Sequence, residues 1–568
     1  MGHRVVDHIV EYLAAIGVRH IFGVDGANIE DLYDAAFFRS GIDAVLAKHE
    51  FSAATMADGY SRSGCGIGVV AATSGGGALN TVPALGEAFA SRVPVLALIG
   101  QSPTPLDGRG AFQDTSGRNA ALDAHALFSA VSVHCRRVTA PADIVAALPA
   151  AIEAARTQRG PSVLLLPKDI QQGEVPANGG VVVGEQAEVR SGDPRVIARA
   201  LRRATGPVTI IAGEQVARDD ARAELEALRA VLRARVATVP DAKDVAGTPG
   251  MGSSSALGVT GVMGRPHIAA ALAGSAVCLV VGTRMAVTAR AGLDDALASV
   301  PVYSIGAAPP YFACTHVHTE DLRGSLTTLT EALSGAGRPT HVRVPETVTP
   351  SELRPPTHRG PGIRYRDAMI ALDAALPDGV DIVVDAGNIG AAAIHHLAAR
   401  RDGRFVVALG MGGMGYSFGA AIGMAFGRGR RTLVIAGDGS FLMHGMEIHT
   451  AREYHLPVTF CLFDNHAHAM CVTREQRFYS DRYSYNRFGP SRLGAGLSAM
   501  FPGLPSADVD DIASLPGALG AALQADGPAV VSIECSADEV PPFAAFLDQA
   551  TTKPPAAEEI SSHVATRP

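Results

Sequence analysis

Runs of four to eight Val, Ile, Leu and Ala residues alternate along this chain with Ala-rich stretches of ten to fifteen residues at helical spacing. A strand covered on both faces reads as a continuous apolar run, and parallel neighbours need a crossover helix to bring the chain back. The alternation therefore predicts an α/β protein of doubly wound parallel sheets with helices on both faces. It recurs in three blocks. Residues 1–180 end past SVLLLPKDI (162–170) in the polar QQGEVPANGG, residues 190–340 hold VTIIAG (208–213) and AVCLVVG (276–282), and residues 360–547 follow the Pro/Thr-rich GRPTHVRVPETVTPSELRPPTHRGPG. Three α/β domains are expected, with a 548–568 tail lacking a core of its own.

At 568 residues and 47% hydrophobic content, the chain has the material for several sizeable cores. A net charge of -8 without a Lys/Arg block argues against a nucleic-acid surface or a polybasic membrane anchor. The opening MGHRVVDHIVEYLAAIGVRHIFG carries charges among its apolar positions, so it reads as an amphipathic helix and a strand, not a signal peptide or membrane span. A cytoplasmic protein with small-molecule partners, no nucleic acid and no membrane is expected. Cys65, Cys135, Cys278, Cys314, Cys461, Cys471 and Cys535 lack CxxC spacing, so they are read as buried apolar fillers and not as a zinc site or disulfide framework.

The segment GDGSFLMHGMEIHTAREYHLPVTFCLFDN (437–465) carries the chemistry. TLVIAG (432–437) reads as a strand, FLMHGMEIHTAREY as a helix and VTFCLF (458–463) as a strand, so Asp438 and Asn465 meet at the carboxyl ends of parallel strands, where open α/β sheets bind ligands. Gly437 and Gly439 allow close backbone approach, and Ser440 is expected to start a helix whose N-terminus favours an anion. A carboxylate and an amide oxygen are hard ligands suited to Mg²⁺, which takes its remaining ligands from phosphate and water. Alone, GDG would be an ordinary turn; the spacing and the terminal Asn make a Mg²⁺–diphosphate site the reading.

GDGS, about two dozen residues, then DN resembles the signature of thiamine diphosphate (ThDP)-dependent enzymes. The resemblance implies that Asp438, Asn465 and the backbone carbonyl of Ala467 ligate Mg²⁺. In DAVLAKHEFSAATMADGYSR (43–62), Glu50 matches the family's carboxylate that hydrogen-bonds the aminopyrimidine ring and promotes its imino form, a role suited by burial. AATSGGGALN (71–80) resembles the family's first-domain glycine turn, with Ser74, Gly75 and Asn80 toward the cofactor. VVDAGNIGAAA (383–393) matches the loop whose Gly387, Asn388 and Ile389 contact the diphosphate. In GMGGMGYSFGAAIG (410–423), Gly410, Gly412 and Gly415 also fit a dinucleotide fingerprint, so a nicotinamide or flavin oxidoreductase is the competing class. The ThDP reading instead has Met414 prop the bent cofactor and Gly412 lend a carbonyl to the aminopyrimidine. It explains Asn465 and Glu50 as well.

Within that family the chain resembles the acetolactate synthase large-subunit group over nearly its whole length. RGAFQD (109–114) and GPSVLLLPKDIQQ (160–172) imply that Phe112 and Gln113 reach the reacting centre and that Lys168 lines the entrance, the alternative for Lys168 being a rim salt bridge. Along AMCVTREQRFY (469–479), Met470 stays in place, but the group's substrate-discriminating Trp falls on Arg474. That residue either clamps an anionic acceptor or pairs with Glu475 or Asp481. FGVDGANIEDLYDA (22–35) is also similar to benzaldehyde lyase, whose relay His is replaced by Asn28. Asn28 hydrogen-bonds without titrating, which leaves proton transfer to His466, His468, His49, water or the cofactor amine. An HxH metal site is the lesser reading of His466 and His468. The group's FAD would sit in the middle domain, but VYSIGAAPP (302–310) lacks the acids that meet a ribose, which argues against FAD.

The resemblance implies a cofactor held between the first domain of one subunit and the third of another, hence a homodimer at minimum, with a tetramer compatible. The expected reaction is decarboxylation of a pyruvate-like 2-oxo acid and transfer of its acyl anion equivalent to a second carbonyl compound. Simple 2-oxo acid decarboxylation and 2-hydroxyketone lysis are the alternatives.

Overall fold

In the computed structural model, residues 3–175, 190–246, 256–334 and 349–547 are described. Residues 176–180 and 335–340 of the expected domains and the 548–568 tail lie outside them. The apolar runs form three six-stranded sheets, and every strand pairing is parallel. The first sheet places Asp43–Leu46, His20–Val24, Gly68–Ala72, Val95–Gln101, Pro161–Pro167 and His134–Arg137 side by side. The second runs Thr315–His318, Val302–Gly306, Val277–Val281, Val208–Ala212, Arg235–Thr238 and Ala256–Val259. The third runs Phe405–Val407, Asp381–Val384, Thr432–Gly437, Val458–Asp464, Ala529–Glu534 and Ser506–Val509. The central strands are buried from end to end, as a sheet covered on both faces requires.

Six helices position the site: α1 (Glu50–Arg62), α2 (Gly76–Ala90), α3 (Asn388–His396), α4 (Tyr416–Arg428), α5 (Asp438–His444) and α6 (Ala469–Phe478). Helices α1 and α4 cross so closely that glycine is required on both. A Cβ on Gly59 would lie 2.2 Å from the Ala420 oxygen, and one on Gly423 would lie 1.9 Å from the Met56 oxygen. The first and third domains consequently share one apolar core, from Phe22 and Val70 through Phe418 to Phe460, whereas the middle domain keeps a core of its own.

Two expectations are corrected. The single helix read over FLMHGMEIHTAREY is broken into α5, a tight turn Gly445–Glu447 and Ile448–Glu453. The break follows from Phe441 folding its ring across Gly445 and from Glu447 turning to accept the Lys48 and His49 amides at the start of α1. Cys278, Cys461 and Cys535 are buried fillers as read, but Cys65 and Cys471 are exposed. No described helix is long and apolar enough to cross a membrane.

The crossing generates a stability test. Gly423→Ala is expected to cost about 1–3 kcal/mol through overpacking. Gly520→Ala, in a helix interior with open space around it, is expected to gain up to about 1 kcal/mol. Denaturant unfolding of both variants decides whether the close approach sets the difference.

Candidate active site

Register brings the sequence's acid and amide together. Gly437 pairs with Phe463, so Asp438 and the Asp464–Asn465 pair leave the sheet at the same end of neighbouring parallel strands. α5 begins at Asp438 and not at Ser440 as expected. Gly437 is its N-cap, and the Ser440 hydroxyl, one turn in, donates to Asp385 (2.7 Å). Asp438 is buried, its carboxylate accepting from the Gly439 amide (2.9 Å) and the Ala467 amide (3.2 Å). A Cβ on Gly439 would meet His468 Nδ1 at 2.5 Å and the Met414 methyl at 3.2 Å, which explains the second glycine and places Met414 and His468 over the Asp438 turn.

The donor set fits a hard cation. Asn465 is buried and its Oδ1 has no hydrogen-bond partner, an acceptor stranded beside a buried carboxylate. Ligand atoms of Asp438, Asp464 and His466 lie within 4.8 Å of one another. Burial and the neighbouring Asp464 carboxylate push the Asp438 carboxyl up to about 7, as expected of acids gathered without a counter-charge. Asp438 and Asn465 leave neighbouring strand ends together, and Ala467, whose carbonyl was the expected ligand, reaches Asp438 through its amide. Asp464, overlooked as a cation neighbour although it stands in the DN pair, joins them.

The loops around this turn are tied by a buried carboxylate that sequence reasoning passed over. Asp385 follows the strand Asp381–Val384 and accepts from the Ala386, Gly415 and Ser417 amides and the Ser417 and Ser440 hydroxyls, at 2.7–3.0 Å. Its only signal was a place inside the VVDAGN loop. Gly387, at φ 114°, turns the chain into α3, where Asn388 Nδ2 donates to Thr473 Oγ1 (3.1 Å) on α6. The Ile389 side chain is core, so only its backbone is available to a ligand.

The glycine fingerprint has its amides already engaged. Gly410, Met411 and Gly412 donate to the Glu87 carboxylate of α2, while Gly415 and Ser417 donate to Asp385. A dinucleotide diphosphate would need those N–H groups, so the geometry counts against the oxidoreductase reading. Glu87, 323 residues before Gly410, had no local sequence signal.

At the carboxyl end of the first sheet, His49 caps α1 by accepting the Phe51 amide (3.1 Å), and Glu50 is the first helical residue. Asn80 Nδ2 donates to Glu50 Oε2 (3.0 Å), and a Cβ on Gly77 would lie 3.0 Å from Glu50 Oε1. Glu50 is half-exposed, so the burial expected for it is not supplied by this chain alone. Asn28 Nδ2 donates to Ser74 Oγ (2.6 Å), and the Ser74 hydroxyl donates to Gln113 Oε1 (3.3 Å). Gln113, at φ 59°, lies over Gly75, itself at φ 65°, and Phe112 beside it is 76% exposed.

Lys168 takes the rim reading in this chain, pairing with Glu30 and donating to the Ala27 carbonyl next to Asn28. His466 is held between Asp464 (3.0 Å) and Glu534 (3.1 Å). His468 Nδ1 is buried without a partner, and its ring meets Phe488 edge-on. Arg474 lies on the exposed face of α6 with its guanidinium over Phe478, and neither Glu475 nor Asp481 pairs with it among the described residues. Met470 is half-buried one helical turn before it.

Sequence profiles of the thiamine pyrophosphate enzymes match three segments of the chain: the N-terminal TPP-binding domain over 3–122, the central domain over 195–306 and the C-terminal TPP-binding domain over 385–533. The chain belongs to the thiamine pyrophosphate enzyme family. It is 29% identical over 507 residues to a probable acetolactate synthase large subunit of Methanocaldococcus jannaschii, covering 85% of this chain and 84% of the other. It is 28% identical over 553 residues to the acetolactate synthase isozyme 2 large subunit of Escherichia coli (94% and 95%) and 26% identical over 576 residues to sulfoacetaldehyde acetyltransferase of Castellaniella defragrans (94% and 93%). The crystal structure of benzoylformate decarboxylase from Polynucleobacter necessarius has the same fold, with a TM-score of 0.80 at 20% identity over 95% of this chain and all of the other. As a thiamine pyrophosphate enzyme, the protein makes or breaks carbon–carbon bonds with ThDP.

The Asp438 environment sets a pH dependence. The folded chain holds this proton more tightly than the unfolded chain, so without a cation stability falls as pH rises from about 4 toward about 7. A divalent cation needs the ionised carboxylate. The rise in Tm on adding Mg²⁺ is therefore expected to be larger at pH 8 than at pH 5 and to flatten in Asp438→Asn, as thermal scans with and without chelator would show.

Proposed function

We propose that this enzyme is a ThDP- and Mg²⁺-dependent carboligase that decarboxylates a pyruvate-like 2-oxo acid and joins the remaining acyl unit to a second carbonyl compound. The observation that carries the reading is the polar apparatus at the first sheet's carboxyl end, Glu50 with Asn80 and Asn28 with Ser74 and Gln113, in a chain that also gathers Asp438, Asn465 and the Ala467 backbone. Decarboxylation alone needs no group to orient an acceptor, whereas this cluster offers amide donors and acceptors beside exposed Phe112. The acetolactate synthase names of relatives matched over most of their length support the same choice.

When bound, ThDP supplies a nucleophilic carbon and accepts the electron pair left as CO₂ departs. Glu50 would exchange a proton with the aminopyrimidine, held on line by Asn80. Met414, seated on Gly439, would support the cofactor's bent shape. Asp438, Asn465 and Ala467 would hold Mg²⁺ against the diphosphate, with Gly387 and the first turn of α3 beside it. Asn28 and Gln113 would orient the reacting carbonyl. His468, whose Nδ1 is unengaged, is the better proton carrier than His466, which two carboxylates already hold.

The half-exposed Glu50 supports a homodimer as the minimum active unit, because a carboxylate exchanging protons with the cofactor needs a dry site. Exposed Leu79 and Phe89 on α2, Met411 against Gly86, and Leu442 and Met443 on α5 give a second copy apolar surface to cover. Arg474, without an ion pair among the described residues, favours an acceptor bearing an anionic group.

The test is product analysis by mass spectrometry with ThDP, Mg²⁺, ¹³C-pyruvate and a panel of neutral and anionic aldehyde and 2-oxo acid acceptors. Labelled CO₂ and a coupled product are expected. Turnover in Glu50→Gln is expected to fall roughly 10²–10⁴-fold, the usual worth of a placed proton-transfer group. CO₂ without any coupled product would convert the assignment to a simple decarboxylase, and failure to release CO₂ from any 2-oxo acid would remove it.

A further inference from the structure

Helix α3, whose first turn is placed beside the diphosphate, is held at its other end by the middle domain. The last carbonyls of a helix have no partner within it, and the last turn of α3 has only the imidazoles of His395 and His396 to offer as cations of its own. Lys243 follows the middle-domain strand Arg235–Thr238 and the tight turn Pro240–Ala242. Its Nζ donates to the carbonyls of Ala393 (3.2 Å), Ile394 (2.6 Å) and Leu397. Arg265, from the same domain, donates to the His395 carbonyl (2.9 Å) and to Glu352 (2.9 Å). The buried His395 ring completes the joint, bonded to the Met263 carbonyl (2.9 Å) and accepting the Leu353 amide (3.2 Å).

Lys243 is itself buried, and besides the carbonyls its nitrogen meets the Phe405 ring, 4.9 Å from the centroid. A buried cation is costly unless its donors are satisfied. Three carbonyls match the three N–H donors of an ammonium, whereas a neutral amine has two and would turn its lone pair on the third carbonyl. The contact therefore calls for the charged form. A cation at a helix C-terminus and an anion at its N-terminus are both favoured by the same macrodipole, and α3 is only nine residues long.

We infer that Lys243, seconded by Arg265, is a positioning residue for the cofactor: it caps α3 from behind and so fixes the direction of the first-turn amides that the diphosphate would meet. The inference rests on the diphosphate lying at Gly387 and Asn388, as proposed above. It gives the middle domain a part in cofactor binding without any contact to the cofactor.

The charge on Lys243 is open to titration. Burial and the Arg265 guanidinium lower it well below the ordinary lysine range, with Asp373 opposing and Arg400 adding to the effect. His395 and His396 are lowered to about 3 and about 4 and stay neutral, while Asp373 and Glu352 are paired with Arg400 and Arg265. Among these groups, Lys243 is the one that loses charge as pH rises from neutrality. Affinity for ThDP is full while it is an ammonium and falls as pH passes through its lowered pKa.

The test is calorimetric titration of ThDP into the Mg²⁺-saturated full-length protein, from neutral pH up to the ordinary lysine range. Wild type is expected to lose affinity as pH rises. Lys243→Met, similar in length but uncharged, is expected to bind about tenfold more weakly at neutral pH and to show no further loss. Arg265→Gln, at a part-exposed position, is expected to weaken binding about threefold and to keep the pH profile. Asn388→Asp sets a like charge beside the diphosphate and tests the placement separately: affinity indifferent to it removes the placement, and the cap with it. Affinity lowered by Asn388→Asp but not by Lys243→Met, or not by Arg265→Gln if the methionine variant does not fold, overturns the cap alone. A wild-type fall with pH that persists in Lys243→Met overturns it as well.

Discussion

The cofactor cradle depends on one carboxylate. Asp385 is a side chain with two oxygens and five donors, and those donors come from the turn before α3, the entry to α4 and the first turn of α5. Each of these loops carries a backbone that the diphosphate would approach in the proposed site. Without a shared acceptor, buried amides and hydroxyls would be stranded at about 1–3 kcal/mol apiece, and the loops would separate. Glu87 performs the matching task from the first domain, drawing in the Gly410–Gly412 amides. The geometry of the site is therefore set by two acids that need never touch a substrate.

The α1–α4 crossing explains why those two acids can cooperate. Helices whose backbones nearly touch at Gly59 and Gly423 leave little freedom to slide, because any shift would bring a neighbouring side chain against the facing backbone. Glu50 at the start of α1 and Gly415 at the start of α4 are consequently fixed relative to each other, and His444, stacked on Phe51 and pressed against Gly415, fills the gap between them. The electrostatics follow from this packing. Parallel register carries Asp438 and Asp464 to the same strand ends, and burial and the Asp464 carboxylate raise Asp438.

Much of this was legible in the sequence because it is local. Continuous apolar runs gave parallel strands, and Asp438 and Asn465 met because parallel register carries strand ends to one side. Glu50 was legible from its junction, but its exposure was not, since solvent access is set by what packs over a junction and not by the residues that form it. Asp385 was inside a quoted loop yet silent, because an acid after a strand gives no sign of how many donors will converge on it. Glu87 was beyond reach, the Gly410 amide it accepts lying 323 residues away in another domain. The break at Gly445 was missed because Glu447 turns to the Lys48 and His49 amides, a tertiary contact that helical spacing does not record.

The distribution of apolar cores has a consequence for how such a chain can change. The first and third domains share one core, whereas the middle domain is closed on itself, apart from Val259 and Met263 lodged in the third domain's second cluster. Cooperative units follow shared burial more than domain boundaries. The outer two domains therefore form one unit interrupted in sequence by an insert, and the insert can vary wherever it does not reach back into that unit as buried Lys243 does, on the carbonyls at the end of α3.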